Sequence, residues 1–330
     1  MKNKHRYNLI IRWKFLFLLF ISNLSLAQNY NINNTIVNDS NYVSISGTPI
    51  SLYMPNGFIL ANKFSGIKHI EAGAFIMISY LTSSYSVVKD GFTPYSFKSQ
   101  GMVLIESNEI DFDHGKGMLY KATKANGKRL FRKWILVLDN DASAIMINGT
   151  FPDTFHSAIS KDIIDCLFSA QITKEKNINY EDAVDFKLDV IDTKLKFAKY
   201  YAGTLIYTID GNFPTKSKDR TSIKIGTSLG VIQIDSPKKF ALAKLHDLPY
   251  SFIDKPEINS IELDGLSGYE IKAYSIDKKT QIKQFIYQVI LYSNNTYYLI
   301  LGTAYNDFEN NLSLFIDVSS SFKRRQKPIE

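Results

Sequence analysis

The chain has 330 residues, 45% hydrophobic and 22% charged, with a net charge of +7 and one cysteine. That balance excludes a disordered polyelectrolyte and a disulfide-stapled mini-domain, and the length allows two cores of ordinary size. Five of the cations fall in the first fourteen residues, so the rest nets about +2 and nothing in it calls for a nucleic-acid partner.

Lys2, Lys4, Arg6, Arg12 and Lys14 precede an apolar run from Phe15 to Ile21, and Ser25-Leu26-Ala27 offers small residues at the positions a signal peptidase reads. Residues 1–27 therefore read as a cleavable signal peptide, cut between Ala27 and Gln28, and the expected location is periplasmic or secreted. The apolar run is too short for a permanent membrane span. Residues 28–42 are Asn-rich and aperiodic and read as a flexible leader.

Ordered structure is expected from residue 43. Ile50 to Tyr53 is a short strand ending in the turn Pro55-Asn56-Gly57-Phe58, and Ala74 to Tyr80 is apolar on both faces, as an inner strand should be. A short helix fits between Tyr85 and Gly101. Strands at Met102–Ser107, Gly117–Lys124, Leu130–Leu138 and Ser143–Gly149 follow one another, with Asn126-Gly127 as a strong hairpin signal. A helix over Asp153–Ala170, with Phe155, Ile159, Ile163 and Cys166 on one side, closes the unit. Cys166 on that stripe reads as a small buried hydrophobe.

Residues 174–182 are polar and read as a linker. Strands are then expected at Gly203–Thr208, Ser222–Ile234, Ile258–Leu263, Gly268–Tyr274, Ile282–Tyr292 and Tyr297–Gly302, the last two joined at Asn294-Asn295, with a closing helix over Phe308–Phe322. Lys323, Arg324, Arg325 and Lys327 read as a solvated tail.

The second series echoes the first. Asp113, Gly117 and Ala122 recur 151 residues on as Asp264, Gly268 and Ala273, and Gly149-Thr150 with Phe155 recurs 153 residues on as Gly302-Thr303 with Phe308. A period that long means two copies of a domain, 43–173 and 183–325. Since strands connect through tight turns, the expected fold is α+β: two tandem α/β/α-type sandwiches, each an antiparallel sheet with a closing C-terminal helix.

The turn Pro55 to Phe58, the strand Gly117-Met118-Leu119-Tyr120, the long strand carrying Trp134, the strand end Ile147-Asn148-Gly149 and the closing helix together resemble the PsbP/DcrB-like fold family. Gly268-Tyr269-Glu270-Ile271, Ile286-Tyr287-Gln288-Val289 and Leu301-Gly302 follow the same outline. The resemblance implies a fold whose members mostly bind other proteins or stabilise assemblies, with no shared catalytic residue to carry across.

Two motifs invite chemistry. Gly226-Thr227-Ser228-Leu229-Gly230 matches a nucleophile elbow, but strand-like Val231 to Asp235 follows it and His246 is the only later histidine, so a bend in a β segment is expected. Asp111, Asp113 and His114 could offer metal ligands, yet the second copy keeps acids at Glu262 and Asp264 and has Gly265 for the histidine, which fits a turn. No zinc spacing and no phosphate loop occur. Tyr200-Tyr201 and Tyr297-Tyr298 can each place one ring on a given sheet face. The expectation is a non-catalytic binding or assembly protein with no catalytic, cofactor or metal residues and another envelope or extracellular protein as partner. An exported hydrolase with an unrecognised site and a small-ligand carrier or inhibitor are the alternatives.

Overall fold

The computed structural model describes residues 41–81, 83–112, 115–141, 143–173, 178–229, 232–278 and 280–325. The signal peptide, most of the leader, Asp113, His114, Gly230, Val231 and Lys327 lie outside the described residues.

Strands β1 (Tyr42–Ser44), β2 (Ile50–Tyr53), β3 (Ile59–Leu60), β4 (Gly66–His69) and β5 (Ala74–Leu81) come first, then helices α1 (Tyr85–Gly91) and α2 (Pro94–Lys98). A meander of β6 (Met102–Phe112), β7 (Gly115–Asn126), β8 (Arg129–Asn140) and β9 (Ser143–Pro152) follows, closed by α3 (His156–Phe168) and β10 (Gln171–Ile172). The next series is β11 (Phe186–Lys187), β12 (Lys196–Tyr201), β13 (Thr204–Thr208), β14 (Ser222–Thr227), α4 (Pro237–His246), β15 (Tyr250–Phe252), β16 (Glu257–Leu263), β17 (Leu266–Asp277), β18 (Lys283–Ser293), β19 (Thr296–Ala304), α5 (Phe308–Ser320) and β20 (Lys323–Arg324). The fold is α+β with antiparallel sheets.

One sheet runs β3-β4-β5-β9-β8-β7-β6, and the other runs β12-β13-β14-β19-β18-β17 with β15 and β16 both pairing β17. The inner strands are apolar on both faces because each sheet is covered on both. Ile135 and Val137 of β8 meet Tyr85, Val88 and Phe97 of α1 and α2, while Trp134, Leu136 and Leu138 meet Ile159, Ile163 and Leu167 of α3. In the other sheet Tyr287 and Val289 pack with Phe315 and Val318 of α5, and Ile286 and Ile290 with Ala241 and Leu245 of α4. Short strands finish each series: β10 pairs with β2, and β20 with β11.

The turn signals read from sequence hold. Asn126 pairs with Arg129 around Gly127 at φ +58°, and Ser293 pairs with Thr296 around Asn294 and Asn295, both at positive φ. Thr93 starts α2 with a capping box: its Oγ1 accepts from Ser96 N at 3.0 Å, and Ser96 Oγ accepts from Thr93 N at 2.6 Å.

Three expectations are corrected. The strand expected over Ser222–Ile234 ends at Thr227, and α4 follows, a helix not anticipated because only Ala241 and Leu245 of its ten residues are buried. The single helix between Tyr85 and Gly101 is two short ones. Arg324 and Arg325 are not part of a solvated tail, because Arg324 Nε lies 2.7 Å from Asp264 Oδ2 and Arg325 Nη2 lies 2.6 Å from Glu181 Oε2, the latter pair beside the backbone bond from Arg325 N to Asp185 O. Opposite charges far apart in sequence close that strand onto its sheet.

Candidate functional site

Where the described residues cover them, the motifs singled out in the sequence have structural duties. Ser228 N donates to Tyr297 O at 2.9 Å and Ser228 Oγ accepts from Tyr297 N at 3.1 Å, which extends the β14–β19 ladder by one rung. His246 sits at the end of α4, edge-on to Phe252 at 5.2 Å. Asp111 pairs with Lys116 across the β6–β7 hairpin, and Asp264 accepts from Arg324 instead of from backbone amides of its own turn. Among the described residues no three His, Cys, Asp or Glu side chains cluster as metal ligands. Cys166 is fully buried, and burial raises its thiol pKa. Tyr298 is buried with its hydroxyl donating to Asp185 at 3.0 Å, while Tyr297 packs on Phe240 across the sheet. Phe112, Leu138, Ala170 and Ile172 line a shallow hollow of about 260 Å³, open solvent included.

The feature the sequence reading passed over lies at the other end of the second sheet. Between Lys194 and Lys224 the chain carries seven cations and two acids, a net +5 that leaves about −3 for the rest of the mature chain. Strand register gathers them. Lys196 pairs with Thr208, Lys199 and Lys224 both pair with Ile206 from opposite sides, and Ser222 pairs with Thr208. Paired residues point to the same side of a sheet, so Lys196, Lys199 and Lys224 share one face across three strands. Leu205 and Tyr207, of opposite parity, belong to the core beneath α5, so the lysines occupy the α4 side, beyond the reach of α4 itself.

The loop between β13 and β14, residues 209–221, folds back over this face. Its counterpart in the first sheet is the turn Ile70–Gly73 between β4 and β5. Asp210 holds the long loop in shape, its carboxylate accepting from Thr215 Oγ1 at 2.8 Å, Lys216 N at 2.8 Å, Ser217 N at 3.1 Å, Asn212 N at 3.2 Å and Thr208 Oγ1 at 3.2 Å. Desolvation opposes its ionisation, but these donors outweigh it and hold the carboxyl well below the ordinary range. The other acid, Asp219, is taken up by Thr221 and by Lys194 at 3.4 Å. The loop presents Phe213, 42% exposed, and places its ring 5.6 Å from Lys224 Nζ. Lys216, Lys218 and Arg220 are exposed around it, and Arg220 lies over the Tyr305 ring at 5.6 Å. Burial lowers the pKa of Lys224 and of Lys199.

The first sheet has its own desolvated amine. Lys133 Nζ donates to Thr150 Oγ1 at 2.8 Å and lies 6.0 Å from the Phe75 ring centre. Burial, with a smaller push from Lys124, lowers its pKa to about 8. The unfolded chain therefore binds more protons than the folded one between about pH 8 and 10.5, and stability rises with pH across that window. Lys133→Met should flatten the rise and stabilise the protein at pH 7 by roughly 1–3 kcal/mol. Urea midpoints at pH 7 and pH 9.5 check this, and an unchanged pH slope in the variant would refute it.

No family model matches the chain, and no curated protein does. Among solved structures it is similar to cyanobacterial PsbP (CyanoP) from Synechocystis sp. PCC 6803, at 14% identity over 40% of this chain and 91% of that one, TM-score 0.31. It is also similar to a chain of the Tle4-Tli4 complex, at 9% identity over 88% and 100%, TM-score 0.33. A third likeness is to the immunity protein TplEi of the T6SS from Pseudomonas aeruginosa, at 11% identity over 87% and 98%, TM-score 0.32. At TM-scores this low none of the three carries an argument.

Proposed function

We propose that the chain is a non-catalytic, exported binding protein whose partner is another protein, made of two PsbP/DcrB-like domains at 43–173 and 183–325 joined by a linker at 174–182. The common strand order of the two sheets supports the duplication. So does the seating of each closing helix, because a Cβ on Gly149 would lie 2.5 Å from Ile163 of α3 and one on Gly302 would lie 2.7 Å from the Phe315 ring of α5. The change of spacing from 151 to 153 falls in the β17–β18 turn, which is longer than the β7–β8 turn. Export rests on the basic and apolar N-terminal segment alone.

The observation that carries the binding reading is the Asp210-braced loop, which keeps Phe213 exposed over a lysine-bearing sheet face in one of the two halves only. An aromatic side chain held exposed by a braced loop is a ready anchor for a partner protein, and the cations around it can steer an oppositely charged one.

The mature chain, used as bait in an envelope extract, should retain a specific protein that Phe213→Ala combined with Lys216→Glu releases. Turnover of ester, peptide or glycan substrates by the purified chain, lost on Ser228→Ala, would overturn the reading in favour of a hydrolase.

A further inference from the structure

The lysine face invites a question its own contacts do not answer. Lys224 is partly withdrawn from water, yet among the described residues no ion pair or hydrogen bond meets its amine, and the Phe213 ring lies 5.6 Å from it. The two acids of the segment are spent inside it, Asp210 on the loop and Asp219 on Thr221 and Lys194. Lys196, Lys216, Lys218 and Arg220 likewise form no ion pair among the described residues. Withdrawing an unpaired cation from water is costly, and the cost is recovered when an anion docks beside it.

We propose that this face is the docking site for a carboxylate-rich segment of a partner protein, an inference that rests on the protein-binding reading above. Lys196 and Lys224 stand on strands two apart, about 10 Å at the backbone, flanking Ile206 and Thr208, which the loop already buries, so an Asp or Glu side chain at the outer edge of that loop lies within reach of both long side chains. Phe213 covers that carboxylate from the loop side and offers an apolar contact to its neighbour in the partner. Lys216, Lys218 and Arg220 form the exposed rim that draws the acidic segment in.

The same observations disfavour other anions. One exposed aromatic is not the row of stacking rings that single-stranded nucleic acid requires. The −3 carried by the rest of the mature chain repels a long polyanion that would overrun the patch. A lipid surface calls for apolar side chains to insert beside the cations, and the loop offers Phe213 alone.

The test uses the mature full-length chain and a fluorescent Glu-rich peptide with a central Phe, read by anisotropy at low and at physiological salt. A Gln-for-Glu peptide, a short DNA duplex and vesicles containing anionic phospholipid are run beside it. The Glu-rich peptide should bind and the Gln peptide should not. Lys216→Glu/Lys218→Glu/Arg220→Glu should weaken binding about tenfold or more, as should Lys224→Met, which keeps the stem and removes the charge. Lys128→Glu/Arg129→Glu, in the exposed hairpin of the first sheet, should leave binding unchanged, and circular dichroism should show every variant folded. No binding of the Glu-rich peptide, equal binding by the variants, or tighter binding of DNA or vesicles would each overturn the proposal. An envelope partner that the triple variant still retains would overturn this surface while leaving the protein-binding reading intact.

Discussion

Gly268→Ala is expected to cost more than about 4 kcal/mol and to leave the second sheet unable to close, whereas Gly117→Ala at the recurring position should cost about 1–2 kcal/mol. A Cβ on Gly268 would sit 2.0 Å from Ile290 O and 3.0 Å from Leu291 Cα, both backbone atoms of the neighbouring strand β18. Ile290 and Leu291 are fully buried, so β18 has nowhere to retreat. At Gly117 the new methyl would meet Phe112 Cε2 at 2.7 Å and Leu138 Cδ2 at 3.2 Å, the far ends of side chains that can turn aside. Urea denaturation of the two variants gives the comparison, and equal losses of stability would contradict it.

The second large effect is expected at the closing helix of the second half. In Gly302→Ala the methyl would press on three atoms of the Phe315 ring at 2.7, 2.7 and 2.9 Å, and that ring is fully buried against Tyr287. A loss of about 3 kcal/mol follows from overpacking. Phe315→Leu alone should be destabilising through the space it leaves. Combined, the two should cost clearly less than their separate losses added, because the smaller side chain makes room for the methyl. A double-mutant cycle from urea midpoints measures this, and strict additivity would show that α5 does not rest on Gly302. At Gly149 the corresponding methyl would lie 2.5 Å from Ile163 Cγ2, a branch on the Cβ of a fully buried residue of α3 whose χ1 is stiff, so Gly149→Ala should be comparably destabilising.

Hairpins were readable because their signals are local. Asn126-Gly127 and Asn294-Asn295 mark turns through local φ preferences, and the structure places two-residue turns at Gly127-Lys128, one residue on, and at Asn294-Asn295. The burial of Cys166 followed from its place on a helical stripe. Helix α4 escaped because it lies against the sheet through two small patches, with Lys238, Lys239 and Lys244 elsewhere on it, so little apolar periodicity remains to read. The roles of Arg324 and Arg325 escaped because their partners, Asp264 and Glu181, are 60 and 144 residues away. Ser228 was readable as a non-nucleophile from the β character after it, although its bonding to Tyr297 was not.

The basic face shows the same division most plainly. Composition alone exposes the excess of lysine and arginine between Lys194 and Lys224, and the matched positions of the repeat, which begin at Asp113 and Asp264, do not extend to this stretch. Alternation along one strand says only that neighbours point apart. That Lys196 and Lys224 come to lie on one side, with Phe213 laid above them, depends on how β12, β13 and β14 are registered and on how Asp210 folds the loop between two of them. Local backbone preferences and residue spacing act within a few residues and are written in the chain. Register and loop packing are settled by the whole sheet burying its apolar side at once, and so they emerge only when the strands are assembled.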